Sequence, residues 1–158
     1  MGKDDTIQTI SDNRKARHDY FIEENYEAGI VLTGTEIKSV RRGHVQLRGS
    51  YARIQNDELW LYDAHISPYE ESGVYFNHDP MRTRKLLMHR RQILKLRIQL
   101  ATKGLTLVPL RIYMRGRLAK VELGLAQGKK LYDKRASIAE RDSKRQIDRA
   151  MKNRGRDE

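Results

Sequence analysis

Leu118-Ala119-Lys120-Val121-Glu122-Leu123-Gly124-Leu125 is the stretch that decides the fold class. Ala119, Val121, Leu123 and Leu125 alternate with Lys120, Glu122 and Gly124, and a period of two places the apolar set on one face of a strand. The segment before it, Leu105 to Tyr113, also has strand character. Its alternation changes phase near Pro109, as a bulge or an edge strand would require. Met114-Arg115-Gly116-Arg117 lies between the two and can turn the chain.

Working outward, Tyr51-Ala52-Arg53-Ile54 and Glu58-Leu59-Trp60-Leu61-Tyr62-Asp63 flank Gln55-Asn56-Asp57, which reads as a hairpin loop. Ala28 to Thr33 is short, apolar and β-branched, a candidate buried strand. Two helices are expected. Ile37 and Val40 are three apart in Glu36–Arg42 with Gly43 as a stop, and His89, Ile93, Leu96 and Leu100 share a face in the main helical candidate between Asp79-Pro80 and Gly104. Residues 1–12 read as a loose polar arm. Five to seven short strands with one longer helix interposed predict a mainly β (α+β) chain, folded as a small antiparallel barrel of the OB type.

The chain has 158 residues, enough for one core and a tail, and carries 32 Lys/Arg against 21 Asp/Glu, a net charge of +11. Residues 129–158 hold eleven Lys/Arg and six Asp/Glu, which leaves +6 on the body. A polyanionic partner is implied, and nucleic acid suits it better than a membrane, because no apolar run approaches the roughly 18 residues that span a bilayer. The start Met1-Gly2-Lys3-Asp4-Asp5 lacks the apolar core of a secretory signal, and the short myristoylation match of Gly2 with Thr6 is set aside. With no cysteine there is no disulfide or thiolate metal site, which fits a reducing cytoplasm. The expected division is an arm at 1–12, an RNA-binding barrel at 13–128 and a basic tail at 129–158.

Nothing in the sequence asks for an enzyme, a metal or a cofactor. His18, His44, His65, His78 and His89 form no i,i+4 pair and no HExxH. The glycines of Gly124-Leu125-Ala126-Gln127-Gly128-Lys129-Lys130 are one residue too close for a phosphate loop, and Lys130 stands where Ser or Thr would hold magnesium. Ser39 and Ser50 lack the glycines of a nucleophile elbow.

Three basic clusters are better supported. Asn13-Arg14-Lys15-Ala16-Arg17-His18-Asp19-Tyr20 joins cations, an amide and a ring, able to meet phosphates and bases together. Lys38, Arg41 and Arg42 lie near one side of the short helix. Arg82, Arg84, Lys85, Arg90 and Arg91 surround Leu86-Leu87-Met88, three residues read as core. Each cluster alone also fits an ordinary solvated face; together, on a barrel of this size, they point to RNA or DNA binding. The tail has acid-before-base pairs at Glu140/Lys144 and Asp148/Lys152 but no apolar face, since of Ile138, Ile147 and Met151 only the last two align.

Five segments, in order, resemble the SsrA-binding protein (small protein B) family. They are Asn13 to Tyr20, Glu27 to Leu32, Gly34 to Arg41, Asp79 to Leu87, and Gly128-Lys129-Lys130-Leu131-Tyr132-Asp133-Lys134-Arg135. The resemblance spans nearly the whole chain. It implies an OB-fold barrel with about three helices and a tail that is disordered when free and helical on the ribosome. It further implies binding to the tRNA-like domain of transfer-messenger RNA and delivery, with elongation factor Tu, to stalled ribosomes by a monomer. Carried over by motif, Asn13, Arg14, Lys15, His18, Glu27, Glu36, Lys38, Ser39 and Arg41 belong to the RNA-contacting set, with Arg84 and Lys85. Leu87 matches a family position linked to RNA binding, against its reading as core. Lys129, Lys130, Tyr132, Asp133, Lys134 and Arg135 correspond to the region acting at the decoding centre, and Met151 and Lys152 to the helix in the empty messenger channel. The chain departs from the pattern at Gln92, where an acidic residue is expected, and at Gln127, often basic; Tyr132 keeps a planar ring. The competing reading is a general single-strand-binding or ribosome-associated barrel, indifferent to RNA shape.

Overall fold

The alternation at Ala119–Leu125 is the middle of a long strand, β9 (Leu118–Gly128), with Val121, Leu123 and Leu125 fully buried in the main core. A computed structural model of the chain describes residues 6–73 and 75–129. In chain order the elements are β1 (Ile7–Asp12), α1 (Arg14–Asp19), β2 (Tyr20–Ile30), α2 (Gly34–Arg41), β3 (Val45–Gln46), β4 (Tyr51–Gln55), β5 (Glu58–Tyr62), β6 (His65–Ile66), β7 (Arg84–Leu87), α3 (Arg90–Lys103), β8 (Thr106–Arg115) and β9. The chain divides into two units, Met1–Gln127 and Gly128–Glu158. Of the second only Gly128 and Lys129 are described. The tail expectations on Lys130, Tyr132, Asp133, Lys134, Arg135, Met151 and Lys152 lie outside the described residues.

The sheet closes on β8. Strand order is β1-β8-β4-β5-β7-β2-β9, and β9 also pairs with β8, so the ring β8-β4-β5-β7-β2-β9 is complete. One edge of β8 is shared: Leu107 meets Ala52 of β4, while residues 111–115 take β1. Closure leaves few unpaired strand edges. Among the described residues, the mainly antiparallel β architecture with three α-helices matches the sequence expectation.

Local chemistry explains most boundaries. Asn56 and Asp57 both have positive φ, 52° and 60°, the geometry of a two-residue hairpin turn matching the strand twist. Gly43, φ 79°, ends the chain path out of α2, and Gly104, φ 62°, caps α3 in the left-handed region. The phase change near Pro109 is a register shift between Pro109 and Arg111. Before it Leu107 points inward; after it Ile112 and Met114 do. Val108 and Leu110 face the other way, where Ala16 of α1 and Ala126 join them in a second small core, flanked by Tyr20 and Ile22. Gly124 sits under that cluster: a Cβ there would lie 3.0 Å from Leu110 Cδ1 and 3.1 Å from Ile22 Cγ2. Only a residue without a side chain lets these layers approach so closely.

Three expectations need correction. Ile7–Asp12 is no loose arm but a strand on β8. Ala28–Ile30 is only the end of β2, which starts at Tyr20, and Val31 is exposed. Most of the stretch before α3 is not helical: Arg84–Leu87 is β7, a central strand between β5 and β2. Its pattern hides the period because an arginine occupies an inward position.

Candidate nucleic-acid interface

Asn13 caps α1 by accepting a hydrogen bond from the Ala16 N–H at 3.2 Å. Its amide also donates to Pro109 O at 2.9 Å and Leu47 O at 3.3 Å, and its backbone N–H donates to Leu110 O. One buried side chain therefore ties α1 to the β8 bulge and to the loop before β4. Buried Ala16 holds α1 down, and Arg14, Lys15 and His18 project outward, His18 with 87 % of its side chain exposed beside Asp19. Lys15 borders a cleft with Tyr20 and Tyr51, and Arg14 borders another with Arg48. Tyr51 stacks on Tyr62, ring centroids 5.3 Å apart.

Thr33 and Glu36 form a reciprocal capping box at the start of α2. The Glu36 carboxylate, fully buried, accepts from the Thr33 N–H at 2.8 Å, from Arg82 at 2.5 Å and from Arg84 at 2.6 Å. Arg84, equally buried, spends its other donors on the carbonyls of Ala64 and Pro80, at 2.5 and 3.1 Å. Burial by itself would raise the Glu36 pKa, but the hydrogen bonds from Arg82, Thr33 and Arg84 outweigh it and hold the carboxyl down at about 2. Burial pushes the Arg84 pKa down, opposed by Glu36. A buried pair is tolerable only when every donor and lone pair finds such a partner.

From this root α2 presents Lys38 and Arg41 to water. Lys38 Nζ lies 5.2 Å from the Tyr69 ring centre and the Arg42 guanidinium 4.6 Å, with Arg42 also bound to Glu71 at 3.0 Å. Ser39 on the opposite side is buried.

On β7 the faces alternate. Arg84 and Leu86 go inward, Lys85 and Leu87 outward. Leu87 is 52 % exposed and sits opposite Gly29 of β2, where a Cβ would stand 3.3 Å from its own Cβ, so the leucine lies across bare backbone. Glu27, Met88, His89, Gln92 and Lys120 share a shallow groove with it. An adjoining one adds Ile37 of α2, Arg117 and the exposed Leu118. The Glu27 carboxylate is bound by the Tyr113 hydroxyl and, at 3.1 Å, by Arg115. Burial and Glu27 together raise the Tyr113 pKa well above the usual phenol range.

Of the residues read from sequence as RNA contacts, Asn13, Glu36, Ser39 and Arg84 are thus buried. The side chains of Asn13, Glu36 and Arg84 position α1 and α2, while the Ser39 hydroxyl is buried without a hydrogen-bond partner. The core reading of Leu86-Leu87-Met88 holds for Leu86, and for Met88 packed against the core, but not for Leu87. Arg14, Lys15, His18, Glu27, Lys38, Arg41 and Lys85 all have surface to offer, Lys85 beside Glu58 at 3.4 Å. Sequence reading missed Lys120 and Arg117, since a cation at the polar phase of an alternating strand, or in a turn, looks like any solvated position. His78 is hydrogen-bonded to Thr35 Oγ1 and Ile66 O. Among the described residues no group of three or more His, Asp or Glu is placed to hold a metal, and no helix is long and apolar enough to cross a membrane.

A closed antiparallel barrel with outward cations around an exposed leucine defines a nucleic-acid-binding protein of the OB type. The sequence profile of the family described as "SmpB protein" matches residues 10–153. The SsrA-binding protein of Roseiflexus castenholzii is 66 % identical over 149 residues, 94 % of each chain. That of Chloroflexus aggregans is 64 % identical over 155 residues, 98 % of each chain. A solved chain described as "tmRNA-SmpB: a journey to the center of the bacterial ribosome" is 55 % identical, superposes with a TM-score of 0.62, and covers 75 % of this chain and 83 % of its own. The chain belongs to the SmpB family.

Proposed function

We propose that this chain binds the tRNA-like domain of transfer-messenger RNA and acts with it on the ribosome in trans-translation, the rescue of stalled ribosomes with tagging of the incomplete peptide. Kinship supports the reading: the relatives are SsrA-binding proteins, and the similar solved chain comes from work on tmRNA and SmpB in the bacterial ribosome. The single observation that carries it to a site is exposed Leu87 in a groove with Glu27 and Lys120. An apolar contact beside a cation and a carboxylate can read RNA shape through sugar edges and 2′-hydroxyls while the cation neutralises phosphate. Arg14, Lys15 and His18 on α1, and Lys38 and Arg41 on α2, supply further phosphate contacts in this scheme, with Lys85 at its margin. The protein performs no covalent step; peptide transfer stays with the ribosome.

Competition binding tests it. A tRNA-like transcript should resist displacement by an equal mass of unrelated single-stranded RNA, and Leu87→Ala with Lys120→Ala should weaken binding about tenfold or more while leaving the melting temperature near its original value. Equal displacement by any single strand would favour the general single-strand-binding alternative.

Further parts of the scheme rest on the motifs alone. The chain works in the cytoplasm as a monomer, elongation factor Tu accompanies the complex, and residues 129–158 act at the decoding centre and in the messenger channel. Lys129, Lys130, Tyr132, Asp133, Lys134 and Arg135 engage the first, Met151 and Lys152 the second. Truncation after Tyr132 should leave RNA affinity largely intact and abolish tagging; equal loss of both would refute the division of labour.

A further inference from the structure

No Asp or Glu stands between Asp79 and Glu122, a stretch dense in Lys and Arg. The fold supplies carboxylates from elsewhere to some of these cations and not to others. Arg82 and Arg84 share Glu36, Lys85 has Glu58, Arg97 has Asp57, Arg111 has Glu122 and Arg115 has Glu27. Among the described side chains, those without an acidic partner are Arg90, Arg91 and Lys95 on α3, and Arg117 and Lys120 at the β8–β9 turn. They are not scattered: His89, just before α3, and Gln92, in its first turn, line the same groove as Leu87 and Lys120.

The free helix carries choices that disfavour it. Arg90 and Arg91 stand in the first turn, where the backbone dipole repels cations, and that turn contains no acid. His89 precedes it without a side-chain cap. Arg91 and Lys95 are like charges at i,i+4. What holds α3 in place is its inner face, Ile93 and Leu96 buried in the main core with Leu100 against it. An outer face that breaks several local rules at once, on an element well anchored inside, marks a surface completed by a partner. A polyanion relieves every one of these repulsions; a neutral or apolar partner relieves none.

We infer that the outer face of α3, through Arg90, Arg91 and Lys95, is a second stretch of the RNA-binding surface, taking the sugar-phosphate backbone of the same RNA that lies on Leu87. The inference rests on the Leu87 reading for the identity of that RNA. Its continuity with the Leu87 groove through His89 and Gln92 selects the transfer-messenger RNA over ribosomal RNA as the occupant.

The test uses the full-length protein with Arg90, Arg91 and Lys95 all replaced by Gln, and binding of a tRNA-like transcript across a salt series. Each phosphate contact removed takes roughly 0.7–0.9 from the slope of log affinity against log salt, so the slope should become shallower by about 2–3. The free protein should melt at the same temperature or higher, because repulsion has been removed. Gln92→Glu should raise the melting temperature, by placing an acid in the first turn; no rise would mean that the cations there do not disfavour the free helix. An unchanged salt slope in the triple variant overturns the inference, whatever the affinity does. The Leu87→Ala/Lys120→Ala protein keeps the two readings apart. If that protein binds normally, the Leu87 groove itself is wrong; if it binds poorly while the α3 variant keeps its slope, only α3 is.

Discussion

Arg84 and Lys85 are consecutive cations on one strand, and they have opposite physics. Arg84 is fully buried, clamps Glu36 to the carbonyls of Ala64 and Pro80, and never meets water. Lys85 leans outward beside Glu58 with 41 % of its side chain exposed. The contrast extends to the regions they belong to. The root of α2 is a fully paired charge cluster whose value is positional, whereas the Leu87 groove and α3 hold cations without acidic partners. Charge at the first site fixes the backbone; charge at the second is available to a ligand.

The largest effect that would break this comparison comes from Arg84→Met. It leaves the buried Glu36 carboxylate with Arg82 as its one remaining cationic partner and should lower unfolding free energy by about 3–5 kcal/mol in denaturant titration. A loss below 1 kcal/mol would mean that Arg84 is not structural. Adding Glu36→Gln to that variant should recover part of the loss, since the stranded charge is then gone. Asn13→Ala comes next, removing the α1 cap and two buried amide bonds, at about 2 kcal/mol; Arg14→Ala beside it should leave stability nearly unchanged and weaken RNA binding instead.

Acid titration gives a third reading of the same contrast. Glu36 has a folded pKa of about 2, below its usual 4.5, so its contribution is fully present above the unfolded value and is lost as pH falls from about 4.5 toward 2. A Glu36→Gln protein should show a flatter stability profile across that window; an identical profile would remove Glu36 from the account. Lys85→Ala should be the smallest effect, within about 1 kcal/mol, as for an exposed pair.

What the sequence disclosed follows the same line. Period-two alternation revealed β9, the Asn56-Asp57 turn revealed the β4–β5 hairpin, and Ile37, Val40 and Gly43 revealed α2, because short-range sterics and burial dictate each. The bulge at Pro109 was legible as a change of phase. β7 was not, since Arg84 breaks the apolar pattern at a position that only its distant partner Glu36 makes tolerable. β1 escaped because its side chains are mostly exposed, with Ile10 alone packed against the core. At the site, charge type identified the segments but not the direction of each side chain. Thr33 followed three residues later by Glu36 was a readable capping signal for one of them. Lys120 and Arg117 had none, since their meeting with Leu87 depends on β2 separating β7 from β9.

The shared edge of β8 also sets a timetable for the chain. Ile7 pairs with Arg115 and Ala52 with Leu107, so β1 and β4 both wait on a strand that leaves a ribosome long after them. During synthesis the ring cannot close until β8 and β9 have emerged, and pairings of such long sequence separation fold slowly compared with local ones. Until then the apolar side of β5 has no barrel to enter. A nascent chain stopped before Thr106 is therefore expected to be protease-sensitive throughout, and one extended past Gly128 to become resistant in a single step.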